Sequence, residues 1–280
     1  MRYILDKAGN YLDGRMGNMA HSIPVGLQLF SVRHDLDKDL RGTLQAVARM
    51  GYAGVEFFGF PKHPARELRA LLEEFDLACC GWHTPFELVQ EDKLEETIAF
   101  NKELGNKYII IPALPEEVRQ SRADWLKLAD FFNELSRKLA LHGMVTGYHN
   151  HSLEFVPSDD EKPWDTFFQN TEKSVVMQLD LGNAMVGGSD VIAILQKYPG
   201  RATTIHFKPY SRKAAKDKPE DGFRPVIGED DVPWHRVFEL CEAGGTEWYI
   251  VEYESDAFPP LEAVKRCLDG LEAKRASISS

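Results

Sequence analysis

The chain has 280 residues, 43% of them hydrophobic and 28% charged, enough for one large core. Its formal net charge of −11 argues against nucleic acid as a partner, because proteins that grip a phosphate backbone present basic surfaces. No apolar run reaches the roughly 18 residues of a membrane span, and the N-terminal stretch lacks the apolar centre of a secretory signal.

Cys79, Cys80, Cys241 and Cys267 form no C-x-x-C pair and read as small buried apolar residues in a reducing, cytoplasmic setting. Residues 1–22 read as a tail or extension ahead of the domain. From Ile23 onward, short runs rich in β-branched and aromatic residues alternate with amphipathic segments. The strand candidates are VGLQLF (25–30), AGVEFF (53–58), LACCGWH (77–83), KYIIIP (107–112), MVTGYH (144–149), SVVMQLD (174–180), ATTIHF (202–207) and EWYIVEY (247–253). Helical spacing marks DLRGTLQAVARMG, RELRALLEEFD, DKLEETIAFNKELG, ADWLKLADFFNELSRKLALHG, VPWHRVFELCEAGG and PLEAVKRCLDGLEAK, with glycine closing the first and the next two after RELRALLEEFD. A shorter DVIAILQKYPG helix is expected in the weakly patterned 170s to 190s.

Eight strand–helix alternations predict a parallel sheet closed as a single-domain (β/α)8 barrel over residues 23–280. An open doubly wound sheet would carry a glycine-rich loop after its first strand, and FSVRHDLDKD has no glycine there. The long polar connection 208–231 follows the seventh strand, on the face where barrel active sites form, and is either functional or a solvated insertion.

Polar residues gather at the C-terminal ends of these strands: Gln28, Glu56, His83, then His149, Asn150 and His151 with Glu154 just beyond, then Asp180, His206 and Glu252. The two-residue period places Val176, Gln178 and Asp180 on one face, likewise Thr204 with His206, Ile250 with Glu252, and Cys79 with Gly81 and His83. If Glu154, Asp180, His206 and Glu252 converge, three carboxylates share a partly dry pocket. Protons or a cation must then neutralise them. Three oxygens and one imidazole nitrogen favour Mn2+, with Mg2+, Co2+ or Zn2+ as alternates.

The segments LQLFSVR, GYAGVEFFGF, YHNHSLEF, LDLGNA, IHFK and EWYIVEYE resemble the xylose-isomerase-like barrel superfamily, in its sugar phosphate isomerase/epimerase branch, over roughly residues 23–273. The resemblance implies one divalent metal held by Glu, Asp, His and Glu from the fifth to eighth strands, and Asp180, His206 and Glu252 match that pattern. The fifth strand departs from it: His149 and Asn150 stand where relatives place the glutamate. Glu154 is the expected fourth ligand, His149 its rival, and His151 a residue that faces substrate.

The resemblance further implies a polyhydroxylated ketone or aldehyde as substrate. A metal that chelates a carbonyl oxygen and a neighbouring hydroxyl stabilises the enediolate left when the intervening carbon loses its proton. Glu154, Glu252, His151 and His149 are the candidate proton carriers. Gln28, Glu56, His83 and Lys208 are the candidate substrate binders, and Phe30, Phe58, Trp82 and Trp234 are either apolar walls or core. Isomerisation or epimerisation is the expected outcome. The alternative is a lyase or hydratase acting on a 3-keto-sugar, a glycoside-derived or an inositol-derived ketone. The expected partner is a small carbohydrate, without nucleic acid or membrane, and a homo-oligomer is left open.

Overall fold

The structure is a computed structural model that describes residues 23–157 and 161–278, together with a two-residue antiparallel ladder pairing Ile4–Leu5 with Tyr11–Leu12. The expected tail at 1–22 otherwise lies outside the described residues. The barrel strands are β1 (Val25–Gln28), β2 (Gly54–Phe58), β3 (Ala78–His83), β4 (Tyr108–Ile111), β5 (Val145–His149), β6 (Val176–Gln178), β7 (Thr204–Phe207) and β8 (Trp248–Val251). All pair in parallel in the order β6-β5-β4-β3-β2-β1-β8-β7. The two ends meet through one isolated parallel bridge between Asp180 and His206. The result is a nearly closed eight-stranded barrel.

These segments become strands because both faces are buried. Tyr-Ile-Ile-Ile in β4 is inaccessible throughout, as a central parallel strand must be. Inside the barrel, below the mouth, Cys80, Tyr108, Ile110, Val176, Trp248 and Ile250 pack together. The opposite strand faces carry the main core, where residues such as Leu27, Val55, Ile109, Phe207 and Tyr249 meet the helices. At roughly 1.5–3 kcal/mol per fully buried large apolar side chain, these two layers hold the strand ends in place around the buried polar cluster.

The helices are α1 (Arg33–Lys38), α2 (Leu40–Met50), α3 (Ala65–Phe75), α4 (Leu94–Leu104), α5 (Arg122–Ala140), α6 (Pro163–Asn170), α7 (Leu181–Val186), α8 (Val191–Lys197), α9 (Trp234–Gly244) and α10 (Pro260–Ala276). Gly51 and Gly105 end α2 and α4 with φ of 107° and 85°, a conformation in which a side chain is strained. The sequence pattern carried α5 on to Gly143, but the helix stops at Ala140 and a further turn reaches Gly143. Three helices escaped the pattern. In α7, five of six residues are buried, so it has no polar stripe to reveal a period. The six-residue α1 is too short for one, and α6 is dominated by its buried Trp164, Phe167 and Phe168.

One register expectation needs correction. The β2–β3 ladder pairs Val55 with Cys79 and then Glu56 with Gly81, so a bulge interrupts the alternation. Cys80 therefore faces the barrel interior, Cys79 packs outside, and only Gly81 and His83 keep the inward parity. The 208–231 connection is not a loose insertion. It folds into short turns at Ala214–Lys216 and Pro219–Phe223, the amide of Ser211 donates to the Gly222 carbonyl at 2.8 Å, and Val226 and Ile227 are buried.

Candidate active site

The site is built at the C-terminal mouth from side chains in or just beyond seven of the eight strands, all but β4. Glu56 from β2 is inaccessible to solvent, and its carboxylate accepts from Gln28 Nε2 of β1 at 2.8 Å and from Gln178 Nε2 of β6 at 2.8 Å. The same carboxylate lies 2.6 Å from His206 Nε2 and 3.2 Å from His83 Nε2. On its other side, His206 places Nδ1 2.5 Å from Glu252 Oε2 and 3.9 Å from Asp180 Oδ2. Gln178 Oε1 meets His83 Nε2 at 2.7 Å and His149 Nδ1 at 3.1 Å. Lys208, almost fully buried, donates to Glu252 Oε1 at 3.2 Å and pairs with Glu254. Its ammonium lies 5.2 Å from the centre of the Phe223 ring, so the 208–231 segment walls this side of the mouth.

Asp180 follows β6 and opens α7, and its Oδ1 accepts the amide of Asn183 at 2.7 Å as an N-terminal cap. Asn150 clamps its backbone: Oδ1 accepts from the Asp180 amide at 2.8 Å, and Nδ2 donates to the Asp180 carbonyl at 3.1 Å. The remaining oxygen, Asp180 Oδ2, is buried without a hydrogen-bond partner.

The electrostatics follow from burial and neighbours. Burial pushes the Asp180 carboxyl up to about 7, and Lys208 offsets this only in part. Burial also works against the charge on Glu252, but Lys208 and His206 outweigh it and hold that carboxyl well below its usual range. Glu56 is likewise lowered, because His83 and His206 overcome its burial. Burial disfavours the His206 cation, yet Glu56 and Glu252 carry it up to about 10. Burial lowers His83 and lowers His149 well below the ordinary histidine range, so both are neutral near pH 7. Lys208 stays charged: Glu252, Asp180 and Glu254 overcome its burial.

His149, Asp180, His206 and Glu252 each offer a donor atom within 4.8 Å of the others, all buried. A buried carboxylate oxygen with no partner is costly, by about 1–3 kcal/mol or more for a charged group. A divalent cation satisfies it, and two imidazoles with two carboxylates form a chemically suitable donor set. These residues therefore fit a metal ion.

The structure gathers Asp180, His206 and Glu252 as the sequence suggests, and brings Gln28, Glu56, His83 and Lys208 to the same cluster. It seats Glu154 apart from it. Tyr148 Oη donates to Glu154 Oε1 at 2.6 Å, and the His151 amide donates to Oε2 at 2.9 Å, which engages both oxygens on the helix side of β5. His149 takes its place in the donor group. His151 is exposed at the rim, its ring 5.5 Å from that of His149. Glu56 is wholly buried, as are Gln28, Asp180 and His206. Phe30 and Phe58 meet edge to face at 5.1 Å beside the mouth, whereas Trp82 and Trp234 lie in the core outside the strands. Gln178, Thr204 and Asn150 stood at the mouth in the sequence pattern but carried no assigned role, and Glu254 was not singled out at all. The inward parity of Gln178 and Thr204 with Asp180 and His206 was the signal available for two of them.

An eight-stranded parallel barrel with a cation-suited cluster at its mouth defines the class, and a family model described as the xylose isomerase-like TIM barrel matches residues 44–274. The chain belongs to that family. An inosose dehydratase of Clostridium beijerinckii is 27% identical over 246 residues, 76% of this chain and 82% of that protein. The rhizopine catabolism protein MocC of Rhizobium meliloti is 23% identical over 249 residues, 79% of this chain and 76% of that protein. Among solved structures, a sugar phosphate isomerase/epimerase from Parabacteroides distasonis superposes with a TM-score of 0.73 at 21% identity, covering 92% of this chain and 96% of that one. An L-ribulose 3-epimerase superposes with a TM-score of 0.65 at 14% identity, covering 92% and 97%. These last two likenesses concern the fold.

Proposed function

We propose that this protein is a divalent-metal-dependent dehydratase acting on a polyhydroxylated cyclic ketone, an inosose or a related keto-sugar. The observation that carries the reading is the buried donor group His149, Asp180, His206 and Glu252, with Lys208 held on Glu252. Isomerisation, preferred on sequence alone, shares the first proton abstraction. Dehydration replaces it because relatives matched over three-quarters of the chain are inosose dehydratases.

His149, Asp180, His206 and Glu252 would hold the ion, which when bound supplies Lewis-acid polarisation of the substrate carbonyl. Mn2+, Co2+ and Zn2+ all suit two imidazoles and two carboxylates, and the exchange of Glu154 for His149 moves the preference away from Mg2+. The chain's own residues do the rest. His151, exposed at the rim, removes the proton on the carbon next to the ketone. The C–H electron pair becomes a carbon–carbon double bond, the hydroxyl on the next carbon leaves, and with the abstracted proton it becomes water. Lys208, kept cationic, offsets the negative charge that grows on the ketone oxygen. Glu154 accepts from the His151 amide and so fixes the turn that carries the base.

The test is a mass-resolved assay of metal-loaded protein with inososes, ketoses and 3-keto-glycosides. The expected product has lost one water. A product of unchanged mass from every accepted ketone returns the reading to isomerisation.

A further inference from the structure

The geometry points to Glu56 as the positioning residue that fixes the orientation of the site's imidazoles and, through them, its affinity for a divalent cation; the second half rests on the metal reading above. Glu56 is wholly buried, and its carboxylate meets the side chains of Gln28, Gln178, His206 and His83. The fold makes room for it. The β3 bulge brings Gly81 opposite it, and a Cβ on Gly81 would lie 2.4 Å from Glu56 Oε1.

Donors and acceptors fix these orientations. An ionised carboxylate only accepts. The amide of Phe30 donates to Gln28 Oε1 at 3.0 Å, so Gln28 must turn its Nε2 toward Glu56. Gln178 must also turn Nε2 toward Glu56, and the same group reaches Thr204 Oγ1 at 3.1 Å. Gln178 Oε1 is thereby aimed at His83 Nε2 and His149 Nδ1. A carbonyl oxygen only accepts, so both nitrogens carry hydrogen, and Nε2 is the His149 nitrogen left available to a cation. Glu56 Oε2 likewise holds a hydrogen on His206 Nε2, which leaves Nδ1 to face Glu252 and Asp180. One carboxylate therefore orients His206 directly, and His149 and His83 through Gln178. Such partners of a metal-binding histidine set its tautomer, and their loss typically costs about 10–100-fold in metal affinity.

The test uses Glu56→Gln, Gln178→Glu and the double swap, all in the full chain. Glu56→Gln sets an N–H against another N–H whichever way the new amide turns, and Gln178→Glu sets two carboxylates face to face. The double swap restores every donor to an acceptor with the same net charge. Nitrogen-15 NMR of the metal-free wild type is expected to show His149 protonated on Nδ1. Co2+ titration followed by absorbance is expected to show affinity about 10–100-fold weaker in each single variant and largely recovered in the swap. Wild-type His149 protonated on Nε2 instead overturns the proposal, as does wild-type Co2+ affinity in Glu56→Gln, or a swap no better than the singles. If Glu56→Gln does not fold, Gln178→Glu against the swap makes the same comparison. A wild type with the expected tautomer that takes up no Co2+ sinks the metal reading and leaves the orienting role standing.

Discussion

Asp180 is held at three points and left open at a fourth. Asn150 fixes its backbone from both sides, Asn183 donates to Oδ1, and Oδ2 has no hydrogen-bond partner. A fold that spends this many contacts to aim one bare buried oxygen has put that oxygen to use. Asparagine is as good a helix cap as aspartate, so Asp180→Asn keeps the cap through its amide oxygen and sets an N–H2 group where Oδ2 stood, removing the charge and the ligand oxygen together. The expected result is a metal-free variant that melts at or above the wild-type temperature but binds Mn2+ or Co2+ at least about 100-fold more weakly by calorimetry. Unchanged affinity would remove Asp180 from the ligand set. Asp180, His206 and Glu252 were legible as a set because each ends a strand with inward parity. The choice between Glu154 and His149 was not, because it turns on the Tyr148 hydroxyl, which claims Glu154 from the outer face of β5. Whether a tyrosine six residues away folds back on a carboxylate depends on a loop turn that strand periodicity does not encode.

At the scale of elements, alternation was readable wherever a strand is buried on both faces or a helix shows a polar stripe. It failed at the β3 bulge, where one extra residue exchanges the faces of Cys79 and Cys80, and at α7, which is buried nearly all round. The bulge sets Gly81, which has no side chain, against the Glu56 carboxylate. Glu56 and Gly81 occupy one space between β2 and β3, and neither residue reveals the other in sequence. Glycine plays a comparable part in β5. A Cβ on Gly147 would lie 2.5 Å from the Val176 carbonyl oxygen and 2.6 Å from the Val176 Cβ, so β5 and β6 can approach only without it. The first clash is with backbone, which cannot rotate away. Gly147→Ala should therefore lower stability by about 1–3 kcal/mol in urea denaturation, and should displace His149 and Gln178, which are paired across that ladder. Wild-type stability in Gly147→Ala would show that the strands part without cost.

At the scale of the molecule, the barrel has one thin seam. The β6 and β7 ends are joined by the Asp180–His206 bridge, where the His206 amide donates to the Leu179 carbonyl at 2.9 Å, and lower down the Met177 amide donates to the Arg201 carbonyl at 2.8 Å. Asp180 and His206 are also donors of the candidate cation group, with His149 on β5 and Glu252 just past β8. A cation held by all four ties four neighbouring strands together across that seam. Local opening is cheapest where ladder hydrogen bonds are fewest, and a ligand that binds only the closed form opposes opening by mass action, by about 2.7 kcal/mol at a hundredfold excess over Kd. Amide hydrogen exchange should therefore slow at His206 and Met177 when Mn2+ or Co2+ is added, more than at Ile109 in the well-paired β4, and chelation should reverse it. Asp180→Asn should abolish the difference. A second donor group, His83, His149 and His206, lies beside the first and contains neither Asp180 nor Glu252. Tight binding without protection of the seam, unchanged by Asp180→Asn, would place the cation on those three imidazoles. The carboxylates would then be free for proton transfer, and the assignment of base and ligands would have to be exchanged.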